Sequence, residues 1–422
     1  MNVTVTPSRD LSGEITAPPS KARTHRALVS GLLSAGTTNI ENPLSCDDTK
    51  ATLHAIIALG AKVDRTATRW VVQGFGFPSH PGDVIYCGES GATLRFLAPV
   101  ASLTGAEIVF TGHDSLMRRP IKPLVEALQE IGVTLETNQE KIVVHGQPTG
   151  AAVRIRGDIS SQFISGLLFT SPLMPSGLRI ELTSPLESRK YVWLTLETMK
   201  QHGIDVTTNH DMSLFEIGSG QTYSPADHRI PGDYSSAAFM LSAAAITHSK
   251  LLVRGLKGSG SEPDGAIAET LSLMGARTSL TDDGALVVGA KLKGARVDLR
   301  DSPDLGPIIA VLGCYAEGET RIEGATRLRY KESDRLAAIT SELTSLGASI
   351  IERDDGLNIH GPCQLNGGVV NSLGDHRIAM ALTVAAIGAN GKVEIQGAEC
   401  ISKSYPNFFS DLRSLGVEIV ER

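Results

Sequence analysis

The sequence predicts an α/β (α+β) protein of two domains, each built from three repeated β-α-β-α-β-β units around buried helices. The chain has 422 residues, which is too long for one compact core and suits two or three domains of about 100–200 residues. One helix–turn–strand pattern recurs six times at nearly constant spacing, and a more apolar helix precedes it in each repeat. Repeats of fixed period are typical of units that bury their faces against one another.

The recurring pattern is an amphipathic helix that ends at a glycine, followed by a short strand, a polar turn and another strand. LHAIIALGAKV, starting at Leu53, and LVEALQEIGVTL, starting at Leu124, are two of its copies. A glycine after the last helical turn is the expected left-handed cap, and the β segments after it alternate apolar and polar residues. Neighbouring copies of this glycine lie 69 to 72 residues apart. The six glycines are Gly60, Gly132, Gly203, Gly275, Gly347 and Gly416.

The helix that precedes this pattern in each repeat is apolar on nearly all sides, as in TLRFLAPVASLTG and RIAMALTVAAIGA. A helix with this pattern is expected to be buried all round. Six such helices at one period indicate six copies of one unit. Six copies in 422 residues favour two domains of three copies each.

Composition excludes several classes of function. Apolar residues make up 41% of the chain and charged residues 20%, and the net charge is −7, so we expect no general nucleic-acid binding. Five scattered cysteines without a C-x-x-C pair and eleven histidines without an H-E-x-x-H motif predict neither a disulfide framework nor a metal site. No apolar run has the length of a signal peptide or a membrane span. We therefore expect a cytoplasmic protein.

Polar residues precede each buried helix. Ser, Asp and Gly at a helix start are ordinary caps, and for Asp233 and Ser235 we expect no further role. Capping does not explain the basic residues in or beside these first turns, because the helix dipole disfavours positive charge there. An anion bound between the helix N-termini and the cations removes this conflict. The sequence therefore predicts a site for phosphorylated, acidic small molecules. The cations concerned are Lys21, Arg26, Arg95 and Arg377.

Seven short motifs in chain order resemble the 5-enolpyruvylshikimate-3-phosphate synthases, a family of enolpyruvyl transferases. Each motif alone is weak, but seven in order, in register with a six-fold repeat, are specific. They are P-S-K-x-x-x-x-R (Pro19–Arg26), S-G-x-T-x-R (Ser90–Arg95), M-x-R-P-I (Met117–Ile121), S-S-Q-F (Ser160–Phe163), Y-K-E-S-D-R (Tyr330–Arg335), G-D-H-R-x-A-M (Gly374–Met380) and K-S-Y-P (Lys403–Pro406).

The resemblance implies an enolpyruvyl-transferase-like fold and a reaction. Residues 1–20 with 231–422 would form one domain and 21–230 the other, with the active site in the cleft between them. The family transfers the enolpyruvyl group of phosphoenolpyruvate to the 5-hydroxyl of shikimate 3-phosphate and releases phosphate, in the shikimate pathway to chorismate and the aromatic amino acids. It needs no metal and no organic cofactor. We expect a monomer whose partners are these two small molecules, with no nucleic acid and no membrane.

The resemblance also implies roles for individual residues. Asp304 would be the base that contacts the hydroxyl, although it is also a candidate helix cap before Gly306 and Pro307. Lys21 and Glu332 would transfer protons at the methylene carbon, and neighbouring cations should lower the pKa of Lys21. Phosphoenolpyruvate would contact Lys21, Gly91, Arg95, Arg119, Gln162, Arg335, Arg377 and Lys403. Shikimate 3-phosphate would contact Lys21, Arg26, Ser160, Ser161, Gln162, Ser188, Tyr191, Asp304, Arg327 and Lys331.

The chain departs from the family pattern at a few positions, and rival functions stay open. Glu89, which replaces a neutral residue of the glycine loop, would point away from the anionic substrates or pair with an arginine. Ala22 and Ala92 replace residues with hydroxyl groups. The first rival transfers enolpyruvyl to UDP-N-acetylglucosamine, but the cysteine that its family uses has no counterpart in HDSLMRRPI. The others are an RNA 3′-phosphate cyclase and a non-catalytic anion-binding relative; the latter disagrees with the presence of Lys21, Asp304 and Glu332 together.

Overall fold

The computed structural model describes residues 1–79, 84–258, 260 and 262–422. The chain divides into two compact units. The first unit is Met1–Pro18 together with Pro231–Arg422, and the second unit is Pro19–Ile230. Of the described helices, none is both long enough and apolar enough to cross a lipid bilayer.

The first unit begins with two strands, β1 (Asn2–Val5) and β2 (Glu14–Thr16). The second unit follows. Its helices are α1 (Lys21–Leu33), α2 (Asp47–Ala58), α3 (Gly91–Ser102), α4 (Asp114–Met117), α5 (Lys122–Glu130), α6 (Ser161–Thr170) and α7 (Arg189–Gln201). Its strands are β3 (Ala35–Glu41), β4 (Lys62–Arg65), β5 (Arg69–Phe75), β6 (Ile85–Tyr86), β7 (Ile108–Thr111), β8 (Thr134–Thr137), β9 (Lys141–His145), β10 (Ala152–Ile155), β11 (Leu178–Leu182), β12 (Thr207–Thr208), β13 (Leu214–Ile217) and β14 (His228–Arg229).

The chain then completes the first unit. Its helices are α8 (Tyr234–Ile246), α9 (Ala266–Leu273), α10 (Gly306–Tyr315), α11 (Arg335–Ser345), α12 (His376–Ile387) and α13 (Phe408–Ser414). Its strands are β15 (Lys250–Arg254), β16 (Arg277–Thr281), β17 (Gly284–Val288), β18 (Arg296–Asp298), β19 (Gly318–Glu323), β20 (Ile350–Arg353), β21 (Gly356–Gly361), β22 (Gly368–Asn371), β23 (Val393–Gln396) and β24 (Ile419–Glu421). Short 3-10 helices cover Pro303–Leu305, Thr326–Tyr330 and Ala398–Lys403 in the first unit and Ser171–Leu173 in the second.

Each repeat forms a four-stranded mixed sheet, in which the first two strands are parallel and the other pairings are antiparallel. The second unit holds the sheets β14-β3-β5-β4, β6-β7-β9-β8 and β10-β11-β13-β12. The first unit holds β2-β15-β17-β16, β18-β19-β21-β20 and β22-β23-β1-β24. This confirms the predicted fold class of six β-α-β-α-β-β repeats in two sets of three.

Three sheets are completed by strands that are distant in sequence. The strand β14 pairs with β3, so that His228 lies opposite Ile40. The strand β2 pairs with β15, and β1 inserts between β23 and β24. Each unit therefore holds its own three repeats together through strands that the repeat period alone does not assign.

The apolar helix of each repeat lies in the core. All residues of α8 and α12 are buried, as the apolar sequence of these helices predicted. In the second unit, α6 approaches α3 closely, because a Cβ atom at Gly166 would lie 2.3 Å from the carbonyl oxygen of Arg95. Only glycine allows this approach, which brings the backbones of α3 and α6 together.

The glycines that end the amphipathic helices have the predicted left-handed backbone. Their φ angles run from +79° at Gly203 to +104° at Gly347. This conformation costs other L-residues about 1–2 kcal/mol, which explains why glycine returns at the same point of every repeat.

Candidate active site

Two guanidinium groups and an amide converge on the first residue of α3. A side chain at Gly91 would come within 3.4 Å of Nη1 of both Arg95 and Arg119, and within 3.5 Å of Gln162 Oε1. Arg95 Nη1 donates a hydrogen bond of 2.9 Å to Gln162 Oε1. We call Gly91, Arg95, Arg119 and Gln162 the Gly91 cluster. The absent side chain leaves the α3 N-terminus open beside two cations, an arrangement that suits a bound anion.

The first turn of α6 adjoins the Gly91 cluster through Gln162. Ser160 is the N-cap of this helix, and its hydroxyl accepts a hydrogen bond of 3.3 Å from the Gln162 N–H. Ser161 is the first helical residue. This helix start offers hydroxyl groups and backbone N–H groups, which are the donors that a phosphate group requires.

Arg26 is buried among neutral oxygen atoms in the second unit. Its Nε donates to Thr195 Oγ1 at 2.9 Å, Nη1 to the Ala22 carbonyl at 2.9 Å, and Nη2 to the Tyr191 carbonyl at 2.7 Å. Burial lowers the pKa of Arg26 to about 9. Ser188, which precedes α7 in a left-handed conformation at φ +56°, accepts a hydrogen bond from the Tyr191 N–H. A nearby anion would stabilise this buried positive charge.

Lys21 begins α1 and forms an ion pair with a carboxylate that the sequence did not single out. Its Nζ lies 2.8 Å from Asp48 Oδ2. The sequence had suggested that only cations surround Lys21, but its surroundings include this carboxylate. Asp48 lies in the first turn of α2, where an acidic residue is explained by the helix dipole alone. Its position in sequence gave no further signal.

Asp304 lies among three cations in the first unit. Its carboxylate is 2.9 Å from Arg335 Nη1, 3.2 Å from Lys331 Nζ and 3.0 Å from Arg377 Nη2. Burial tends to raise the pKa of Asp304, but Arg377, Lys331 and Arg335 outweigh it and hold the pKa well below its usual range. The alternative interpretation as a cap of α10 is wrong, because Asp304 lies inside the preceding 3-10 helix and α10 has no side-chain cap.

Arg335 joins Asp304 to two further carboxylates. Its Nη2 donates to Glu332 Oε2 at 2.7 Å and its Nε to Asp375 Oδ2 at 2.8 Å. The Arg335 side chain is 1% exposed; burial opposes its charge, but the carboxylates, Asp375 foremost, raise its pKa above the ordinary value. We call Asp304, Lys331, Glu332, Arg335, Asp375 and Arg377 the Asp304 cluster. Three anions and three cations offset one another here, so removing one leaves a buried charge unbalanced.

Asp375 is the member of this cluster that the predicted site lacked. It was visible only as the acidic residue of G-D-H-R, where capping explained it. It does cap α12, accepting a hydrogen bond of 2.9 Å from the Arg377 N–H. It also accepts from Arg335, which is 40 residues earlier in the chain. The double role follows from tertiary packing and is not encoded in local spacing.

The remaining predicted residues of the first unit lie near this cluster. Lys403 Nζ donates to the Gly374 carbonyl at 2.7 Å, next to Asp375. Arg327 Nη2 donates to the Arg300 carbonyl at 2.6 Å. Burial lowers the pKa of Lys331, and the positive charge of Arg327 adds to this effect while Asp304 opposes it.

Two expectations at other helix starts have different outcomes. Asp233 caps α8, accepting from the Ser236 N–H at 3.1 Å, which confirms the predicted cap. Ser235 was expected to act only as a cap, but its hydroxyl donates to the buried Asp264 carboxylate.

In the glycine loop, Glu89 accepts a hydrogen bond from the Ser115 hydroxyl, a partner that was not predicted.

The predicted site residues fall into two sets, one on each unit. The second unit holds Lys21, Arg26, Gly91, Arg95, Arg119, Ser160, Ser161, Gln162, Ser188 and Tyr191. The first unit holds Asp304, Arg327, Lys331, Glu332, Arg335, Arg377 and Lys403. The set on the second unit is rich in anion-binding donors, and the set on the first unit adds the carboxylates that acid–base chemistry requires.

Comparison with known proteins places the whole chain in one family. The family model described as EPSP synthase (3-phosphoshikimate 1-carboxyvinyltransferase) matches residues 5–412. A 3-phosphoshikimate 1-carboxyvinyltransferase from Methanocorpusculum labreanum is 42% identical over 415 residues, covering 97% of this chain and 98% of that protein. The enzyme of the same name from Halobacterium salinarum is 40% identical over 431 residues, covering 99% of both chains.

Solved structures agree with this at the level of the fold. An EPSP synthase from Acinetobacter baumannii matches with a TM-score of 0.82 and 24% identity, over 100% of both chains. The enolpyruvyl transferase NikO from Streptomyces tendae matches with a TM-score of 0.79 and 18% identity, over 99% of this chain and 98% of NikO. On the family model and the full-length sequence relatives together, the chain belongs to the EPSP synthase (3-phosphoshikimate 1-carboxyvinyltransferase) family.

Proposed function

We propose that the chain transfers the enolpyruvyl group of phosphoenolpyruvate to the 5-hydroxyl of shikimate 3-phosphate and releases inorganic phosphate. Relatives that are 36–42% identical over nearly their full length are 3-phosphoshikimate 1-carboxyvinyltransferases, so the chain is a transferase of the shikimate pathway, which leads to the aromatic amino acids. The observation that best supports the chemistry is the Asp304 carboxylate, whose side chain is 20% exposed and which has three cations within 2.9–3.2 Å.

Phosphoenolpyruvate carries a carboxylate and a phosphate, and the proposed contacts match both groups. The Gly91 cluster supplies two guanidinium groups and the open α3 N-terminus. Guanidinium groups bind carboxylates and phosphates through paired N–H donors. We assign phosphoenolpyruvate to Lys21, Gly91, Arg95, Arg119, Gln162, Arg335, Arg377 and Lys403.

Shikimate 3-phosphate needs donors for its phosphate and acceptors for its hydroxyl groups. The start of α6 supplies the serine hydroxyls and N–H groups, and Arg26 supplies a buried positive charge that donates hydrogen bonds to neutral oxygens. Asp304 supplies an acceptor for the reacting hydroxyl. We assign this substrate to Lys21, Arg26, Ser160, Ser161, Gln162, Ser188, Tyr191, Asp304, Arg327 and Lys331.

The environment of Asp304 suggests how its basicity changes during the reaction. In the unliganded chain, Arg377, Lys331 and Arg335 stabilise the carboxylate and lower its pKa, which makes it a weak base. Substrate anions that bind Arg335 and Arg377 would compete for those guanidinium groups. Asp304 would then lose part of its stabilisation and become a stronger base beside the 5-hydroxyl.

The reaction requires two proton transfers at the methylene carbon. In the addition step, the 5-hydroxyl oxygen bonds to the enol carbon, Asp304 accepts the hydroxyl proton, and the methylene gains a proton to become a methyl group. In the elimination step, the bond to phosphate breaks and the methyl group loses a proton. Lys21 and Glu332 are the proposed donor and acceptor, since each has an ionisable side chain next to proposed substrate contacts.

The rival acceptor UDP-N-acetylglucosamine is disfavoured by the family comparison. The stretch around Arg119 also lacks a cysteine, and the Cys87 thiol upstream is buried, which raises its pKa. A non-catalytic relative would have no use for a largely enclosed carboxylate beside three cations, since such a group destabilises the fold when left unpaired.

A phosphate-release assay tests the proposed function. Purified protein should release phosphate only when phosphoenolpyruvate and shikimate 3-phosphate are both present. Phosphoenolpyruvate with UDP-N-acetylglucosamine should give none, and neither should Asp304→Ala with the correct pair. Phosphate release that needs UDP-N-acetylglucosamine would overturn the proposal. So would an inactive wild-type protein that binds both substrates, which would indicate the non-catalytic relative.

We further propose that the enzyme acts as a monomer in the cytoplasm. All five cysteines are free thiols, as a reducing compartment requires. Light scattering after size-exclusion chromatography should give the mass of one 44.6 kDa chain. A stable dimer mass would contradict the monomer.

A further inference from the structure

Two of the five cysteines lie together, and they differ from the other three. Cys46, Cys87 and Cys400 are separately buried, and burial raises the pKa of each thiol. Cys314 is buried in the last turn of α10, whereas Cys363 follows β21 and is partly exposed. Neither belongs to the proposed active site.

The backbone brings Cys363 directly against Cys314. The Cys363 N–H donates to the Cys314 carbonyl at 2.6 Å. The preceding segment is packed on the same helix end, because a Cβ atom at Gly361 would lie 2.4 Å from the Ala316 carbonyl oxygen and 2.5 Å from that of Gly313. These backbone contacts hold the two cysteines side by side.

The sulfur of Cys363 lies among hydrogen-bonding groups, and its thiol donates a hydrogen bond of 3.2 Å to the His360 carbonyl oxygen. It accepts a hydrogen bond of 3.4 Å from the Ser349 N–H. The Cys314 thiol also hydrogen-bonds to it, and this contact is the main reason that the pKa of Cys363 is lowered to about 6, against the opposing effect of burial. The pKa of Cys314 is raised by the same contact and by burial. One thiol of the pair is thus partly exposed and has a lowered pKa, and the other is a buried, protonated neighbour.

We propose that Cys363 and Cys314 form a peroxide-sensitive thiol pair, in which a hydroperoxide oxidises Cys363 and Cys314 then closes a disulfide. In the first step, the Cys363 thiolate attacks the peroxide oxygen, the O–O bond breaks, and Cys363 becomes a sulfenic acid while hydroxide leaves. In the second step, the Cys314 sulfur attacks the Cys363 sulfur, the S–O bond breaks, and water leaves with the Cys314 proton. The two thiols lose two electrons in total, which the hydroperoxide accepts.

Peptide mass spectrometry after treatment with dilute hydrogen peroxide tests this pair on the full-length protein. The wild-type chain should form the Cys314–Cys363 disulfide, which thiols reverse. Cys314→Ser should stop at the sulfenic acid, which dimedone traps on Cys363. Cys363→Ser should give neither a disulfide nor an adduct on Cys314. Cys87→Ser is the matched control and should leave the Cys314–Cys363 disulfide unchanged.

A second measurement needs no variant. The rate at which iodoacetamide labels Cys363 in the wild-type chain should rise with pH around a midpoint near pH 6, whereas an ordinary cysteine has its midpoint near pH 8.5. A midpoint above pH 8 would overturn the proposal. So would a dimedone adduct on Cys314 in Cys363→Ser, or a folded wild-type chain whose Cys363 resists peroxide.

Discussion

His202, which is buried at the C-terminal end of α7, forms a pair with the partly buried His228. Their ring centroids are 5.0 Å apart and their Nε2 atoms 2.8 Å apart. His202 Nδ1 lies 2.8 Å from the Ser224 carbonyl oxygen, which only accepts. We therefore assign the hydrogen of His202 to Nδ1, so that its Nε2 accepts from His228 Nε2. A further proton on His202 would go to its Nε2 and place two N–H groups against each other.

This geometry makes the stability of the second unit depend on pH. Burial is the main cause that lowers the pKa of each histidine to about 4; His228 adds to the effect on His202, and Arg23 adds to the effect on His228, against Asp227 and Glu197. An unfolded histidine has a pKa near 6.5, so below that value the unfolded chain binds more protons than the folded chain. The stabilisation is therefore complete above about pH 6.5 and is lost as the pH falls toward 4. Its size is about 3 kcal/mol for each histidine.

Urea unfolding, monitored by tryptophan fluorescence, measures this effect in the second unit. Trp70 and Trp193 are the only tryptophans of the chain, and both lie in Pro19–Ile230. Between pH 7 and 4.5, the wild-type midpoint should fall more steeply than that of His228→Asn, whose amide does not titrate. His54→Asn, a change at an exposed histidine, should follow the wild-type slope. Equal slopes for the wild type and His228→Asn would refute the reasoning.

Three further predictions concern the site and its support. Asp304→Asn should lower kcat by about 10²–10⁴ while calorimetry still detects both substrates; a kcat within threefold of the wild type would remove its role as base. Gln162→Ala removes the acceptor of Arg95 and should lower kcat/KM for phosphoenolpyruvate about tenfold or more; unchanged kinetics would separate the Gly91 cluster from this substrate. Gly166→Ala forces a Cβ atom to within 2.3 Å of the Arg95 carbonyl oxygen, and calorimetry should show a loss of about 1–3 kcal/mol; an unchanged Tm would refute that packing argument.

The repeat architecture could be predicted from sequence because its signals are local. A glycine with positive φ ends each amphipathic helix, and a nearly uniform apolar sequence marks each buried helix. The strands β1, β2 and β14 could not be assigned to their sheets, since each pairs with strands that are far away in sequence. Sheet pairing between distant segments depends on packing, and short strands carry little register information of their own.

Many residues of the candidate site were indicated by basic side chains at helix starts, where local rules disfavour them. Their carboxylate partners were not indicated. Asp48 and Asp375 both lie at helix N-termini, where capping and the dipole already explain an acidic residue, so their ion pairs with Lys21 and Arg335 left no trace in the sequence. Asp304 shows the reverse: capping was plausible there, and the structure assigns the carboxylate to three cations instead.

A single-turnover experiment tests the central claim most directly. Enzyme in excess over phosphoenolpyruvate and shikimate 3-phosphate is quenched, phosphate is quantified, and the organic product is identified by mass spectrometry. We expect equal amounts of phosphate and 5-enolpyruvylshikimate 3-phosphate. Phosphate without the enolpyruvyl product, or no turnover of this pair, would contradict it.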